Sequence, residues 1–302
     1  MIMFVKNKFK LVVTIRKGKI MADLTVLILA HNEEKNIERC IKEVKSIAKR
    51  IIVVDSGSTD RTVEIAGRMG AEVLYHPWKN YATQYNWGIQ NASIRTKWIF
   101  RLDADEFLTN EAREEIETLC KENENTDVNG LVVRFTVSFL GRELKHGGIY
   151  PFRKLLIYKT NKGFMEERNM DEHIVLKEGR SIELQHDCIH QDFKDLTAWI
   201  DKHNKYSSRE VLDYFESIQK ESSSDYNKLD KKARFKRYVK FGIYYKLPLG
   251  MRAFLYYCYR YYFKFGFLDG KEGKIFAFLQ AYWYRFLVDA KIYEAQISEK
   301  KE

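Results

Sequence analysis

Residues 98–106 read Trp98-Ile99-Phe100-Arg101-Leu102-Asp103-Ala104-Asp105-Glu106, a short apolar run ending in three carboxylates. The run has the character of a strand covered on both faces. In an open parallel sheet, ligands bind outside the carboxyl ends of the strands, so acidic side chains placed there are available to a metal ion. Hard oxygen donors suit Mg²⁺ or Mn²⁺, above all a cation that also grips a diphosphate. Asp and Glu also crowd strand-to-helix turns as caps, and the triplet alone does not choose between the two. The residues upstream do.

Thr25-Val26-Leu27-Ile28-Leu29-Ala30 is again a continuous apolar run, and it predicts the first central strand. After His31-Asn32-Glu33-Glu34, apolar positions Ile37, Ile41, Val44 and Ile47 recur at helical spacing, with Lys45, Lys49 and Arg50 at the favourable C-terminal end. Ile51-Ile52-Val53-Val54 predicts a second strand, ending in Asp55 and the loop Ser56-Gly57-Ser58-Thr59-Asp60, where Asp60 is placed to cap a helix that Gly70 closes. Ala71 to Leu74 predicts a third strand, Tyr81 to Ala92 a helix, and Lys97 to Leu102 a fourth strand. Strict alternation of strand and helix predicts an α/β fold, Rossmann-like and doubly wound. No glycine-rich dinucleotide fingerprint or Walker loop follows these strands, which argues against a dehydrogenase or a P-loop NTPase. The turns instead offer carboxylates and small hydroxyls, suited to a ribose, a base edge and a metal-bound diphosphate.

The chain of 302 residues, 45% hydrophobic and 31% charged, has the make-up of an ordered protein with a large core. Cys40, Cys120, Cys188 and Cys258 show no paired spacing, so a disulfide framework or zinc knuckle is not expected and a reducing cytoplasm is. Residues 1–22 read as a basic leader without a secretory apolar run, and Met21 is a candidate natural start. Downstream, Leu131 to Phe135 and Lys154 to Tyr158 predict further strands, with Gly147-Gly148 and Pro151 in the connection. Arg168-Asn169-Met170-Asp171-Glu172-His173 is a dense titratable patch before the apolar run Ile174-Val175-Leu176.

Three segments in order, Leu27 to Glu34, Ile52 to Asp60 and Leu102 to Glu106, resemble the strand-end motifs of family 2 of the inverting nucleotide-sugar glycosyltransferases. The resemblance is closer to the branch that includes lipopolysaccharide-core glucosyltransferases, through Phe265-Gly266-Phe267-Leu268-Asp269-Gly270-Lys271-Glu272-Gly273, and it runs from about Asp23 to Glu294. It implies a GT-A fold with a mixed, mainly parallel sheet flanked by helices. It also implies that Ala30, Asn32 and Glu33 line the nucleotide pocket, that Asp55 faces the base or ribose, that Asp103 approaches the ribose and diphosphate, and that Asp105 ligates Mg²⁺ or Mn²⁺. Capping is set aside for Asp55 and accepted for Asp60. Asn86 lies where the family approaches the donor; a surface or capping role is the alternative. The family's base position falls on Glu172, with the adjacent Asp171 as competitor. A late histidine often joins the metal in this fold, and His190 matches that place better than His186; a structural histidine is the alternative. Trp199, Lys202, His203, Asn204 and Tyr206 fall on a following helix beside the acceptor site and are read as packing.

From Lys231 to Lys264 ten basic residues, among them Arg252 and Arg260, meet no Asp or Glu, which accounts for the whole formal charge of +10. Interleaved with Phe and Tyr, they predict a helical basic and aromatic appendage that associates with an anionic membrane surface. Arginines and lysines interrupt every window long enough to span a bilayer. A packed helical cap with a solvated basic face competes with that reading, and a nucleic-acid surface ranks last, since no nucleic-acid module accompanies the run. The expected organisation is a leader (1–22), a GT-A catalytic domain (23–215), a membrane-associating helical region (216–294) and a polar tail (295–302). The expected activity is transfer of a hexose from a UDP-sugar donor, UDP-glucose first, to a lipid-linked or cell-envelope saccharide acceptor at the inner face of the cell membrane. Two alternatives stand beside it. A nucleotidyltransferase on a similar fold would need a glycine-rich loop that is missing after the first strand. A catalytically silent protein tethering a partner to the membrane is the alternative from another class.

Overall fold

The computed structural model describes residues 21–166, 172–192, 194–220 and 247–299. Its first half alternates as predicted: β1 (Leu24–Ala30), α1 (Ile37–Val44), β2 (Arg50–Asp55), α2 (Thr62–Arg68), β3 (Glu72–Tyr75), α3 (Tyr81–Asn91) and β4 (Trp98–Asp103). A short β5 (Glu106–Phe107) and α4 (Asn110–Glu122) follow. The second half adds β6 (Val128–Phe139), β7 (Arg142–Leu144), β8 (Phe152–Lys159), the hairpin β9 (Gly163–Met165) and β10 (Ile174–Leu176), then β11 (Arg180–His190) and α5 (Leu196–Lys220).

One nine-stranded sheet runs β3-β2-β1-β4-β8-β6-β11-β5, with β7 paired to β6. From β3 to β4 every pairing is parallel, the half predicted from sequence. Beyond β4 the ladder is mixed: β8 lies antiparallel to both neighbours and β11 runs parallel to β6. The sheet is therefore mixed, as the resemblance implies, with its unbroken parallel run in the first half.

Period-two alternation along β1 divides the core. Leu24, Val26 and Ile28 pack with Ile37, Ile41 and Ile116 on the face covered by α1, α2 and α4. Leu27 and Leu29 pack with Ile52, Val54 and Tyr85 beneath α3. Gly88 lets α3 lie this close, since a Cβ there would stand 2.7 Å from Val54 Cγ2 and 3.1 Å from Leu27 Cδ1.

The C-terminal layer comprises α6 (Met251–Cys258) with a π-helical continuation (Tyr259–Phe263), a 3₁₀ turn (Gly266–Asp269), α7 (Gly270–Phe276) with its own π segment (Ala277–Trp283), and α8 (Tyr284–Glu299). Helix α5 runs through residue 215, where the domain boundary was expected, and Val211 on it packs with Tyr284, Val288 and Ile292 of α8. Helix α5 thus joins the layer to the α/β half of the chain. Its cations also correct the expectation of one basic surface. Arg252 is only 2% exposed and pairs with Asp289, while Arg260 bonds Gly147 O and Tyr256 Oη. A guanidinium is kept inside because α6 turns it toward an acidic partner on α8. The basic stretch 231–246 lies outside the described residues.

Candidate active site

Strand order reverses at β1, which has β2 on one side and β4 on the other, so the crevice at their carboxyl ends is the expected ligand site. Register brings the predicted residues together there. Ala30 pairs with Asp55, and Leu29 with Asp103.

The loops after β1 and β2 are stitched to each other. Asn32, at φ 55°, accepts from Thr59 N at 2.8 Å and donates its backbone N–H to Ser58 Oγ at 2.9 Å. A left-handed backbone is a conformation that Asn tolerates better than most side chains. Asp55 is 3% exposed, and its oxygens accept from Gly57 N, Ser58 N and Ser58 Oγ. Asp55 therefore shapes its own loop and caps no helix, since its donors lie four or more residues before the first residue of α2. Asp60 accepts from Thr62 N at the start of α2, as expected of a cap, and also from Glu34 N.

Asp103 belongs to a buried cluster. Arg101 Nη2 donates to it at 2.6 Å, Tyr81 Oη donates to its other oxygen, and Lys154 Nζ lies at 3.7 Å. Burial alone would raise its pKa, but Arg101 and Lys154 more than offset it and leave the carboxyl below its ordinary value. Glu106, fully buried, accepts from Lys154 Nζ at 2.8 Å and from Asp103 N.

Asp105 stands apart from its neighbour. Pairing of β5 with β11 sets His190 opposite Glu106, and Gln191 N donates to Asp105 O, so the end of β11 is held against the acidic turn. His190 Nε2 comes within 3.5 Å of Asp105 Oδ2. Lys202 Nζ, from α5, approaches the same oxygen at 3.2 Å. Burial would raise the Asp105 pKa, but Lys202, His190 and Lys154 hold the carboxyl well below the ordinary range. Burial pulls the His190 pKa down and Asp105 more than reverses it; Asp105 is the main reason the Lys202 pKa lies above the usual lysine value.

One carboxylate and one imidazole converging on a point suit Mn²⁺ or Mg²⁺ as far as donor chemistry goes. Among the described residues no group of three or more His, Cys, Asp or Glu could hold a metal ion. The pair thus fits a cation that arrives with oxygen ligands of its own, as a diphosphate supplies. His186 bonds Glu115 on α4 instead, at 2.9 Å.

Glu33 is caught between Lys194 Nζ at 2.5 Å and Asn36 Nδ2 at 2.7 Å. Burial raises its pKa, with Lys194 working against the rise. Asn86 donates to Met165 O at 3.1 Å, tying α3 to the β9–β10 hairpin. Glu172, half-buried, leads into that hairpin's second strand, and Asp171 lies outside the described residues. On the far side of His190 a cavity of about 440 Å³ opens, walled by Phe139, Trp199 and Phe276 with Asp192, Lys194 and Arg260. Trp199 also stacks on His203 with ring centroids 3.5 Å apart.

Lys202, read as packing, is the residue that sequence reasoning missed, together with Lys154 and Lys194. Each reaches a predicted acid across a long stretch of chain, and a lysine on a strand or helix carries no mark that distinguishes it from a solvated one.

Residues 25–174 match the family described as Glycosyl transferase family 2. An uncharacterized glycosyltransferase of Rickettsia felis is 29% identical over 291 residues, spanning 93% of this chain and 93% of that protein. One of Rickettsia bellii is 44% identical over 94 residues, 31% of each chain. Among solved structures, glucosyl-3-phosphoglycerate synthase from Mycobacterium tuberculosis, in complex with Mn²⁺, UDP and glucosyl-3-phosphoglycerate, is 22% identical over 39% of this chain and 44% of that one. Its TM-score is 0.31. The chain spans less than half the length of the Rickettsia bellii and mycobacterial proteins. Over residues 25–174 the chain is similar to Glycosyl transferase family 2, and the sheet with its crevice at β1 and β4 has the Rossmann-like GT-A fold.

Proposed function

We propose that this protein is a metal-assisted inverting glycosyltransferase of the lipopolysaccharide-core glucosyltransferase-like branch. It would move a hexose from a nucleoside diphosphate sugar, UDP-glucose or another UDP-hexose first, to a lipid-linked or cell-envelope saccharide. The observation that carries the reading is Asp105 at the switch-point crevice, with His190 and Lys202 on one oxygen and an aromatic-walled cavity beside them. A cavity of this size and lining lies in the range of small-ligand sites.

Asp105 and His190 would hold Mg²⁺ or Mn²⁺, which when bound neutralises charge on a departing diphosphate. Glu172, or Asp171 beside it, takes the proton from the acceptor hydroxyl. That oxygen attacks the anomeric carbon from the face opposite the diphosphate, and the bond from carbon to diphosphate oxygen breaks as the new glycosidic bond forms. Lys202 and Lys154 keep positive charge next to the acidic turn. The loops of Asn32 and Asp55 form the nucleotide side of the crevice. We place the enzyme at the inner face of the cell membrane, held peripherally; among the described residues no helix is long and apolar enough to cross one.

A calorimetric screen of nucleotide sugars with Mn²⁺ or Mg²⁺ tests the class and the donor together. Binding of a UDP-hexose that weakens when the metal is chelated is expected, and absence of binding by every nucleotide sugar with metal present would remove the enzyme reading. Glu172→Gln is expected to lower transfer about 10²–10⁴-fold while donor binding persists. Unchanged transfer would pass the role to Asp171, for which Asp171→Asn should then show the same loss.

A further inference from the structure

Between α6 and α7 the chain makes a tight turn at Tyr262-Phe263-Lys264-Phe265-Gly266-Phe267-Leu268. Five of these seven side chains are large, apolar and open to solvent, with Phe263 75% exposed and Phe265 56%. Isolated exposed apolar residues are ordinary, but a contiguous patch of them marks a contact surface.

The turn is held in place by the catalytic half. Gly147 N donates to Lys264 O at 2.8 Å, and Arg260 Nε bonds Gly147 O in return. Asp269, 4% exposed, accepts from Lys145 N at 3.2 Å, His146 N at 2.9 Å and the His146 ring at 2.7 Å. A Cβ on Gly266 would stand 2.9 Å from Arg260 O, so the backbones are pressed together. Phe265 adopts φ 57°, a left-handed conformation that a bulky residue rarely keeps. The fold therefore spends anchoring contacts on a turn whose aromatic side chains point away from the core.

The charge around the patch selects its partner. Lys264, Lys271 and Lys274 are exposed on or near the turn, while Asp269 is buried and Glu272 faces Arg142 at 3.5 Å. Aromatic rings mixed with lysines match the interface of an anionic bilayer, where rings enter the headgroup zone and ammonium groups meet lipid phosphates. The turn is also contiguous with the cavity beside His190, because Gly148 and Arg260 line that cavity while packing against Lys264 and bonding Gly147.

We propose that Tyr262–Leu268 is a membrane wedge that seats the cavity beside His190 at an anionic lipid surface, so that an acceptor carried on a lipid reaches the site from the bilayer. It deepens the peripheral location and the lipid-linked acceptor proposed above and rests on them.

The test is co-sedimentation of the full chain with phosphatidylcholine vesicles and with vesicles containing phosphatidylglycerol. Wild type should bind the anionic vesicles and be released by salt. Phe263→Ser with Leu268→Ser should weaken that binding at least tenfold with UDP-sugar binding unchanged. An environment-sensitive dye on Phe263→Cys should shift to the blue on anionic vesicles, and the same dye on Thr118→Cys, exposed on α4, should not. Equal vesicle binding by the double variant would overturn the wedge while leaving the peripheral location standing. Failure of wild type to bind any vesicle would remove the location as well. Self-association of wild type that the double variant loses, without vesicle binding, would assign the face to a second copy and overturn the proposal.

Discussion

Asp105→Asn is expected to lower transfer by at least about 10³-fold, the scale on which removal of a preorganised charge at a reacting phosphate or oxyanion is felt. The substitution preserves shape and removes one charge. In the wild-type site that charge faces Lys202 at 3.2 Å and His190 at 3.5 Å, and these partners hold the carboxyl pKa well below the ordinary carboxylate range. The rate should therefore owe nothing to titration of the Asp105 carboxyl itself near neutral pH. Stability should move in a different way. With its pKa raised chiefly by Asp105 against the opposing effect of burial, His190 contributes stability that is fully present below about pH 6.5 and is lost as pH rises through its folded value. Asp105→Asn should remove that contribution, so the difference in stability between variant and wild type should shrink from pH 5.5 to pH 8. Initial rates with the donor found in the screen, together with urea unfolding at both pH values, check the two halves. A variant that retains wild-type transfer would remove Asp105 from the chemistry.

The strand ends were legible in the sequence because two-sided burial writes a continuous apolar run and its carboxylates follow directly, as at Leu102-Asp103 and Val54-Asp55. What surrounds those ends was not. His190 could be singled out as one of two late histidines, but the reason it meets Asp105 is the pairing of a two-residue strand with the end of β11, a ladder too short to leave a periodic signal. Lys202 meets Asp105 across 97 residues and Lys194 meets Glu33 across 161, and an amphipathic pattern does not report a partner at that separation. Asp55 also takes up a local role that its motif position does not report, since Gly57 N and Ser58 N donate to it as in an Asx-type turn. Arg252 was counted as surface charge because the run around it lacks acids, and its counter-ion, Asp289, lies on another helix.

That last pair should carry the largest effect on stability. Arg252 is 2% exposed, its Nε donates to Asp289 Oδ1 at 2.6 Å, and Asp289 Oδ2 accepts from Gly250 N at 3.0 Å. Gly250, at φ 80°, sets the turn into α6, and a Cβ there would press to 2.9 Å on Phe286 of α8. The guanidinium, the carboxylate and the turn are thus one unit binding α6 to α8. Arg252→Met should cost about 3–5 kcal/mol, because it leaves Asp289 charged and buried without its counter-ion. For a chain of this length that corresponds to a fall in melting temperature of roughly 5–8 °C. Asp289→Leu alone should cost a similar amount by removing the carboxylate that offsets the buried guanidinium charge. The double variant should recover most of the loss, since an apolar pair of similar volume avoids burying either charge. Thermal unfolding of the two single variants and the double variant completes the cycle. Costs that simply add in the double variant would mean that the two residues stabilise the layer independently, and the ion pair would then not be what joins α6 to α8.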